Sequence, residues 1–338
     1  MCLARRGSRM LRTMIGLAVL AAAGGCGSWR VVLEPVPPAD SLLERTVLDE
    51  SAGDSAAAKV VLIEVDGLIA DAAGGWLGGG LNPVAEFARE LDRAAEDDRV
   101  RAVVLRINSR GGTVTGSDMV HGELMRFRRE TGRPVVALLG EVAASGGYYL
   151  ACGADEILAH PTTITGSIGV ITQTVQMGEA LDRLGITADA IVSGPNKAMA
   201  SPFGRPDPRH RALLQAMVDD FYARFVEVVR AGRPEIEAGR LPELADGRVF
   251  TGRQALEVGL VDGLGDAHAA FARARELAGV ERARLVRYLR PGERTPGVHA
   301  KGRARAAGTT PAEATTAGGV EINLLRIDGL EGALLPET

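Results

Sequence analysis

Cysteine, histidine and aromatic residues are all scarce in this sequence. Its 338 residues hold three cysteines, at 2, 26 and 152, and five histidines, at 121, 160, 210, 268 and 299. Three cysteines so widely spread make neither a disulfide framework nor a zinc site. Aromatic residues form 4% of a chain that is 46% hydrophobic, so Ala, Val, Leu and Gly must fill the core. An excess of basic charge is missing too: 39 Lys and Arg stand against 43 Asp and Glu, a net charge of −4. That balance excludes a sequence-independent nucleic-acid binder, which needs a basic surface. No apolar run approaches the roughly 20 residues that a spanning helix requires. Neither a phosphate-binding glycine loop nor a Cys/His cluster occurs, so the expected chemistry needs no cofactor and no metal.

What is present begins with an address. Arg5, Arg6, Arg9 and Arg12 precede the short apolar run 14–23, which ends in Gly24-Gly25-Cys26. A basic start, a short apolar stretch and small residues are the layout of an export signal. Cys26 after Ala-Gly-Gly resembles a bacterial lipobox, in which the cysteine thiol is diacylated and becomes the first residue; Ala23 stands where Leu is usual. A plain signal with an incidental cysteine is the alternative. Residues 1–25 are therefore expected to be a lipoprotein-type signal peptide and Cys26 the lipidation site. Residues 26–58, with Pro35, Pro37 and Pro38, read as a tether from membrane to domain. The expected location is the bacterial cell envelope, with inner and outer membrane both open.

The body alternates strand and helix signals. Residues 59–65 are a continuous apolar run, as in a strand buried on both faces. Asn82-Pro83 supplies an N-cap and an N1 proline, and Val84, Phe87, Ala88 and Leu91 come after it at helical spacing. Residues 101–107 read as a second strand, turned by 108–112 into a helix carrying Val120, Leu124 and Phe127, and 134–139 as a third strand. Such alternation predicts βαβ units and a mostly parallel sheet. Beyond it, short strands are expected at 156–159, 167–171 and 190–192, with a short helix at 180–184. Leu213, Leu214, Met217, Val218, Phe221 and Phe225 mark a long amphipathic helix, core or subunit contact, and Thr251-Gly-Arg-Gln254 is a capping box. Residues 291–319 read as a flexible linker and 320–338 as a tail that docks as a strand or stays free.

One junction has the local chemistry of a nucleophile. At Ala144-Ser145-Gly146-Gly147 a strand turns into a helix, exposing a serine hydroxyl beside helix N-terminal N–H groups, while the glycines let a substrate backbone approach. Such a serine needs a base. His160 sits in Ala-His-Pro, a context that does not recommend it. Lys197 is different, because no Asp or Glu occurs between Asp189 and Asp207. A lysine acts as a base only when neutral, which requires burial and no local carboxylate to hold its proton. A snorkelling surface lysine is the bland alternative. Cys152 reads as a small core residue, and Arg126, Arg128 and Arg129 as a solvated face.

Four ordered motifs go further. Ala144-Ser145-Gly-Gly-Tyr-Tyr149, Thr165-Gly-Ser167-Ile-Gly-Val170, Ser193-Gly-x-x-Lys197 with Ser201-Pro202, and the pair of segments 245–255 and 259–265 resemble the signal peptide peptidase A family, over about 59–279. The resemblance implies an α/β fold of the Clp-protease/crotonase-like type, a right-handed superhelix of ββα units. It implies Ser145 as nucleophile, Lys197 as general base and Ser167 as the serine that orients the lysine. It places the oxyanion hole at Gly111-Gly112, with Gly112 N–H the first donor and Gly146 N–H the second. Arg110 stands where the family usually has proline, which loosens the turn and adds a cation beside the cleft. Implied substrates are cleaved signal peptides and other unfolded polypeptides near the membrane. The implied assembly is a homo-oligomer with sites built across subunit boundaries, eight being the expected number for a single-domain chain.

Three rival readings use the same residues. A crotonase-type acyl-CoA enzyme would use the oxyanion glycines without the Ser145–Lys197 pair. A non-catalytic envelope scaffold would keep only fold and interface. A Ser-His peptidase would use His160 and slow as an imidazole protonates. The C-terminal tail, with Leu334-Leu335 near its end, is a further candidate, as a self-substrate of a neighbouring site.

Overall fold

Runs of Val, Ile and Leu build one sheet, with helices on both of its faces. The computed structural model describes residues 41–54, 56–72 and 82–291. The expected signal peptide, Cys26, the first part of the tether, residues 292–319 of the linker and the whole tail lie outside the described residues. In chain order come β1 (Leu43–Asp49), β2 (Ala58–Ile69), α1 (Pro83–Glu96), β3 (Val100–Gly112) and α2 (Val114–Thr131). Next are β4 (Val135–Ala144), α3 (Gly146–Ala151), β5 (Glu156–Ala159), β6 (Ile164–Gly166) and α4 (Gly178–Arg183). The last group is α5 (Pro208–Gly232), α6 (Leu241–Leu244), β7 (Val249–Thr251), α7 (Gly252–Glu257), β8 (Gly263–Leu264), α8 (Ala267–Leu277) and β9 (Ala283–Leu289).

The strand order is β1-β9-β2-β3-β4-β5-β8, with β6 and β7 branching from β4. Every pairing is parallel except β1 with β9 and β6 with β7. Because side chains alternate along a strand, β2 feeds two cores. Val61 and Ile63 join Phe87 and Leu91 of α1 and Leu124 and Phe127 of α2 on one face. Val60 and Leu62 meet Ala270, Phe271 and Ala274 of α8 on the other. The caps are as expected: the Asn82 side chain accepts from the Val84 and Ala85 N–H groups, and Thr251 and Gln254 form the capping box.

Four expectations are corrected. The tether range contains β1, an ordered edge strand antiparallel to β9, and the start of β2. Lys59 locks β1 in place: its ammonium, 1% exposed, donates to Glu44 of β1 at 2.5 Å and to Asp97 after α1 at 2.7 Å. The second strand does not end at 107 but runs on to Gly112, because β2 continues beside it and pairs Leu68 with Gly111 and Ile69 with Gly112. Residues 167–171 and 190–192 form no strand; Ile168 is buried in the core, while Ile171 and residues 190–192 lie exposed on an arm around α4. The stripe on α5 is split, with Phe225 buried in the core while Leu213 and Met217 are 47% and 40% exposed.

A fork in β4 brings two serines together. The first half of the strand pairs with β5 from Val136 to Leu139, and its second half pairs with β6 from Val142 to Ala144. The bend delivers Ala144 beside Gly166, so the two residues that come next, Ser145 and Ser167, leave neighbouring strands together.

Candidate active site

Ser145 caps α3 with φ 52° and ψ −121°, a conformation that favours glycine. Its N–H donates to the Gly166 carbonyl at 2.8 Å and its carbonyl accepts from Tyr149 N–H at 2.9 Å, so both backbone groups are fixed. The side chain takes no part in capping the helix, which leaves the hydroxyl of a half-buried residue uncommitted to α3. Ser167 also lies at positive φ, 50°, with its N–H donated to the Arg248 carbonyl at 2.7 Å. Two non-glycine residues in this sparsely populated region, on adjacent strand ends, are held there by surrounding hydrogen bonds.

The end of β3 comes against the same turn. A Cβ on Gly111 would stand 2.6 Å from the Gly146 nitrogen and 3.0 Å from the Ser145 Cβ. Gly111 has φ +99°, so the positive-φ requirement of the glycine pair falls there and not on Gly112. Gly112 is needed for a different reason: a Cβ would sit 1.7 Å from the Ile69 carbonyl oxygen. The Gly111 and Gly146 backbones thus meet at Ser145, with Gly112 next in the chain and tied closely to Ile69. Ser109 braces the approach, donating its hydroxyl to the Gly67 carbonyl at 2.5 Å while accepting from Gly111 N–H at 3.0 Å.

Two supports are not legible in the sequence. Ser117, buried in the first turn of α2, packs so close that a Cβ on Gly146 would meet its Oγ at 2.1 Å. The Tyr149 hydroxyl on α3 donates to Asp118 of α2, which also accepts from Arg224 Nη2 of α5 at 3.1 Å. Burial pushes Asp118 upward, but hydrogen bonds from Tyr149 and Arg224 outweigh it and keep the carboxyl below its ordinary value. Burial first, then the Asp118 bond, raises Tyr149. His121 stacks edge-on to Tyr149 and is lowered to about 4, mainly by burial and then by Arg224. It stays neutral around pH 7 as part of this packing. Only the small, polar residue types of 117 and 118 hint at the role, since it arises from a close approach of distant backbones.

Lys197 is placed elsewhere. It lies in the exposed turns of the arm, and its side chain makes no hydrogen bond or ion pair among the described residues. One chain therefore brings together Ser145, Ser167, Gly111 and Gly146, with Gly112 next to Gly111 in the chain, and shows no contact of Lys197 with them among the described residues. The arm carries much uncovered apolar surface: Ile171 is 84% exposed, Leu184 73% and Phe203 55%. A cavity of about 240 Å³, lined by Leu181, Ile186, Phe203 and Arg205, also lies in this arm and not at Ser145. His160 occupies the turn before β6, its N–H bonded to Thr163 Oγ1 at 3.1 Å, and makes no contact with Ser145 among the described residues. Cys152 is buried, as expected. No group of His, Cys, Asp and Glu able to hold a metal occurs among the described residues, and no described helix is long and apolar enough to cross a membrane.

Comparison with known proteins supplies the context. The sequence pattern of peptidase family S49 matches residues 127–281. The chain is 41% identical over 189 residues to a candidate protease from Synechocystis sp., covering 56% of this chain and 67% of that one. It is 36% identical over 225 residues to a candidate signal peptide peptidase SppA from Enterococcus faecium, covering 64% and 62%. Over 245 residues it is 31% identical to the chloroplastic serine protease SPPA of Arabidopsis thaliana, covering 71% and 36%. The match thus spans two thirds or less of the length of these last two relatives.

Proposed function

The chain belongs to the signal peptide peptidase A family of serine peptidases, peptidase family S49, and from that premise we propose that it is an endopeptidase of the cell envelope working through Ser145 and Lys197. Its parallel sheet with crossover helices is the Clp-protease/crotonase-like fold of that family. The observation that carries the reading is the Ser145 turn: a strained serine whose hydroxyl does not cap its own helix, set against the Gly111 and Gly146 backbones. A merely structural helix start has no need of that backbone conformation.

In the proposed reaction, neutral Lys197 takes the proton from Ser145 Oγ as the oxygen bonds to the scissile carbonyl carbon. The N–H groups of Gly112 and Gly146 hold the resulting oxyanion. Lys197, now an ammonium, gives that proton to the leaving amine as the C–N bond breaks. Water then attacks the acyl-enzyme, again deprotonated by Lys197, and Ser145 is regenerated. Ser167, emerging beside Ser145, is proposed to hydrogen-bond and orient the lysine amine. The proposed substrates are cleaved signal peptides and other unfolded polypeptides near the membrane, with lipidated Cys26 holding the enzyme there.

A lysine base must leave water, and within one chain Lys197 is exposed. The burial has to come from another copy. The uncovered Ile171, Leu184 and Phe203 on the same arm give that copy an apolar surface to cover. We therefore place Lys197 of one subunit beside Ser145 of the next, in a ring for which eight subunits is the proposed number.

Subunit mixing tests this directly. Ser145→Ala and Lys197→Ala oligomers, each assayed alone on a fluorogenic peptide library, should be inactive. Dissociated and reassembled together at equal ratio, they should regain activity at about one quarter of the sites, because that share pairs an intact serine with an intact lysine from different copies. Inactive singles with no recovery in a reassembled ring would place both groups in one chain. Full turnover by Lys197→Ala would eliminate the lysine base. A folded, oligomeric wild type that cleaves no peptide would favour the scaffold reading, or the acyl-CoA enzyme if it hydrolyses thioesters.

A further inference from the structure

Next in the chain to the glycine that abuts the Ser145 turn, Arg110 has no structural task. It sits between Ser109 and Gly111, and the backbone on both sides of it is pinned. Ser109 is tied to Gly67 and to Gly111 N–H, and Gly111 and Gly112 are paired with Leu68 and Ile69 of β2. Alternation along the strand buries Ser109 and Gly111 and leaves Arg110 exposed between them. Its guanidinium enters no ion pair or hydrogen bond among the described residues. Arg106, four residues earlier on the same strand, behaves differently and pairs with Glu64 at 2.6 Å. Asp66 accepts from Asn108 Nδ2 at 2.7 Å, and Glu141 lies exposed on β4, beside the Asn108 that accepts from Val142 N–H.

An unpaired cation on a pinned backbone therefore stands one residue from Gly111, whose backbone touches the Ser145–Gly146 turn. Beside it, Leu68 is 68% exposed, an apolar neighbour on the paired strand. An extended peptide advances about 7 Å over two residues. On the peptidase reading, a side chain within that span of a bond cut at Ser145 is the candidate partner of the Arg110 guanidinium.

We infer that Arg110 is a specificity residue that favours peptides carrying an acidic side chain within two residues of the cleaved bond. The inference rests on the peptidase reading above and adds the chemical class of its preferred substrate. The carboxylate pairs with the guanidinium at a partly solvated site, and the exposed Leu68 accepts an adjoining apolar side chain. A pair of this exposure changes kcat/KM by about fivefold, and the preference weakens as salt is added.

The test uses the detergent-solubilised full-length oligomer and matched fluorogenic peptides that differ only by Glu, Gln or Lys near the cut, scanned over the two positions on each side. At low salt, wild type should cleave the Glu peptide about fivefold faster than the Gln peptide in kcat/KM at one or more positions, and the Lys peptide more slowly still. Arg110→Gln should bring the Glu-to-Gln ratio to about one, and Arg110→Glu should reverse the order. The wild-type ratio should fall in about 0.5 M salt. An unchanged ratio in both variants, or a wild type indifferent to charge at all four positions, overturns the inference. Ser145-dependent cleavage of the Gln peptide separates that result from failure of the peptidase reading; if such cleavage is absent for every peptide, both fall together.

Discussion

Replacing Ser145 by glycine is expected to abolish peptide hydrolysis and raise thermal stability in the same molecule. Loss of the nucleophile should lower kcat/KM by about 10⁴ or more. The gain comes from the backbone. At φ 52° and ψ −121° a side chain costs about 1–3 kcal/mol, which glycine does not incur. Glycine loses more chain entropy on folding, about 0.5–1 kcal/mol, so the net gain should be about 1 kcal/mol. For a domain of this size that is a rise of about 2–4 °C in Tm. Ser145→Ala supplies the control, since it removes the hydroxyl but keeps a Cβ at the strained position. It should be equally inactive with no comparable rise. Differential scanning calorimetry of the two variants reads the difference. Equal Tm values would show that no strain is held at this turn.

That trade also explains which parts of the site are legible in the sequence. A buried strand leading into Ser-Gly-Gly is a local pattern, and it locates the nucleophile turn without any knowledge of the sheet. The forked β4 that sets Ser145 beside Ser167 is not local, because it depends on β5 and β6 pairing with different halves of one strand. Ser167 is accordingly visible through resemblance alone. Ser109 and Ser117 escape notice for the same reason: each matters only where a distant backbone passes within contact distance.

The fold shows a matching division. The central strands are readable because both of their faces are apolar. β1 is not, since Leu43-Glu-Arg-Thr-Val-Leu-Asp49 mixes charge with apolar residues as an edge strand does, and it comes after a proline-rich stretch. The apolar residues at 168–171 and 190–192 mislead in the opposite sense. Their pattern suggests strands in a core, yet most lie on the exposed arm, with Ile171 and Ile191 uncovered. Hydrophobic pattern reports that a surface will be buried, not whether the same chain buries it. The absence of carboxylates around Lys197 has the same limit: it marks a lysine that can be made neutral, without saying which copy covers it.

Lys59→Met should destabilise the fold strongly although Lys59 takes no part in the site around Ser145. Lys59 is the meeting point of three elements, with its ammonium between Glu44 on β1 and Asp97 at the end of α1. Removing it leaves two partly buried carboxylates, at 28% and 14% exposure, with only the more distant Arg99 side chain, 3.4 Å from Asp97, to offset them. Breaking such an arrangement costs about 3 kcal/mol, a large share of the roughly 5–15 kcal/mol that holds a domain folded. The loss should depend on pH in a defined direction. Burial pushes Asp97 upward, but hydrogen bonds from Lys59 and from Arg99 N–H outweigh it and hold the carboxyl at about 2, below its ordinary 3.8. A folded-state value below the unfolded one gives stability that is complete above about pH 4 and is lost as pH falls through 2. The deficit of Lys59→Met should therefore be largest at neutral pH and shrink between about pH 4 and about pH 2. Neutralising both acids as well, in Glu44→Gln/Lys59→Met/Asp97→Asn, should restore most of the stability, because the cost lies in the uncompensated charges and not in the missing ammonium itself. Urea denaturation at about pH 7 and about pH 3 distinguishes these outcomes. A single variant within about 0.5 kcal/mol of wild type at pH 7, below the usual cost of a broken buried pair, would mean that β1 is held by its pairing with β9 and needs no ionic lock.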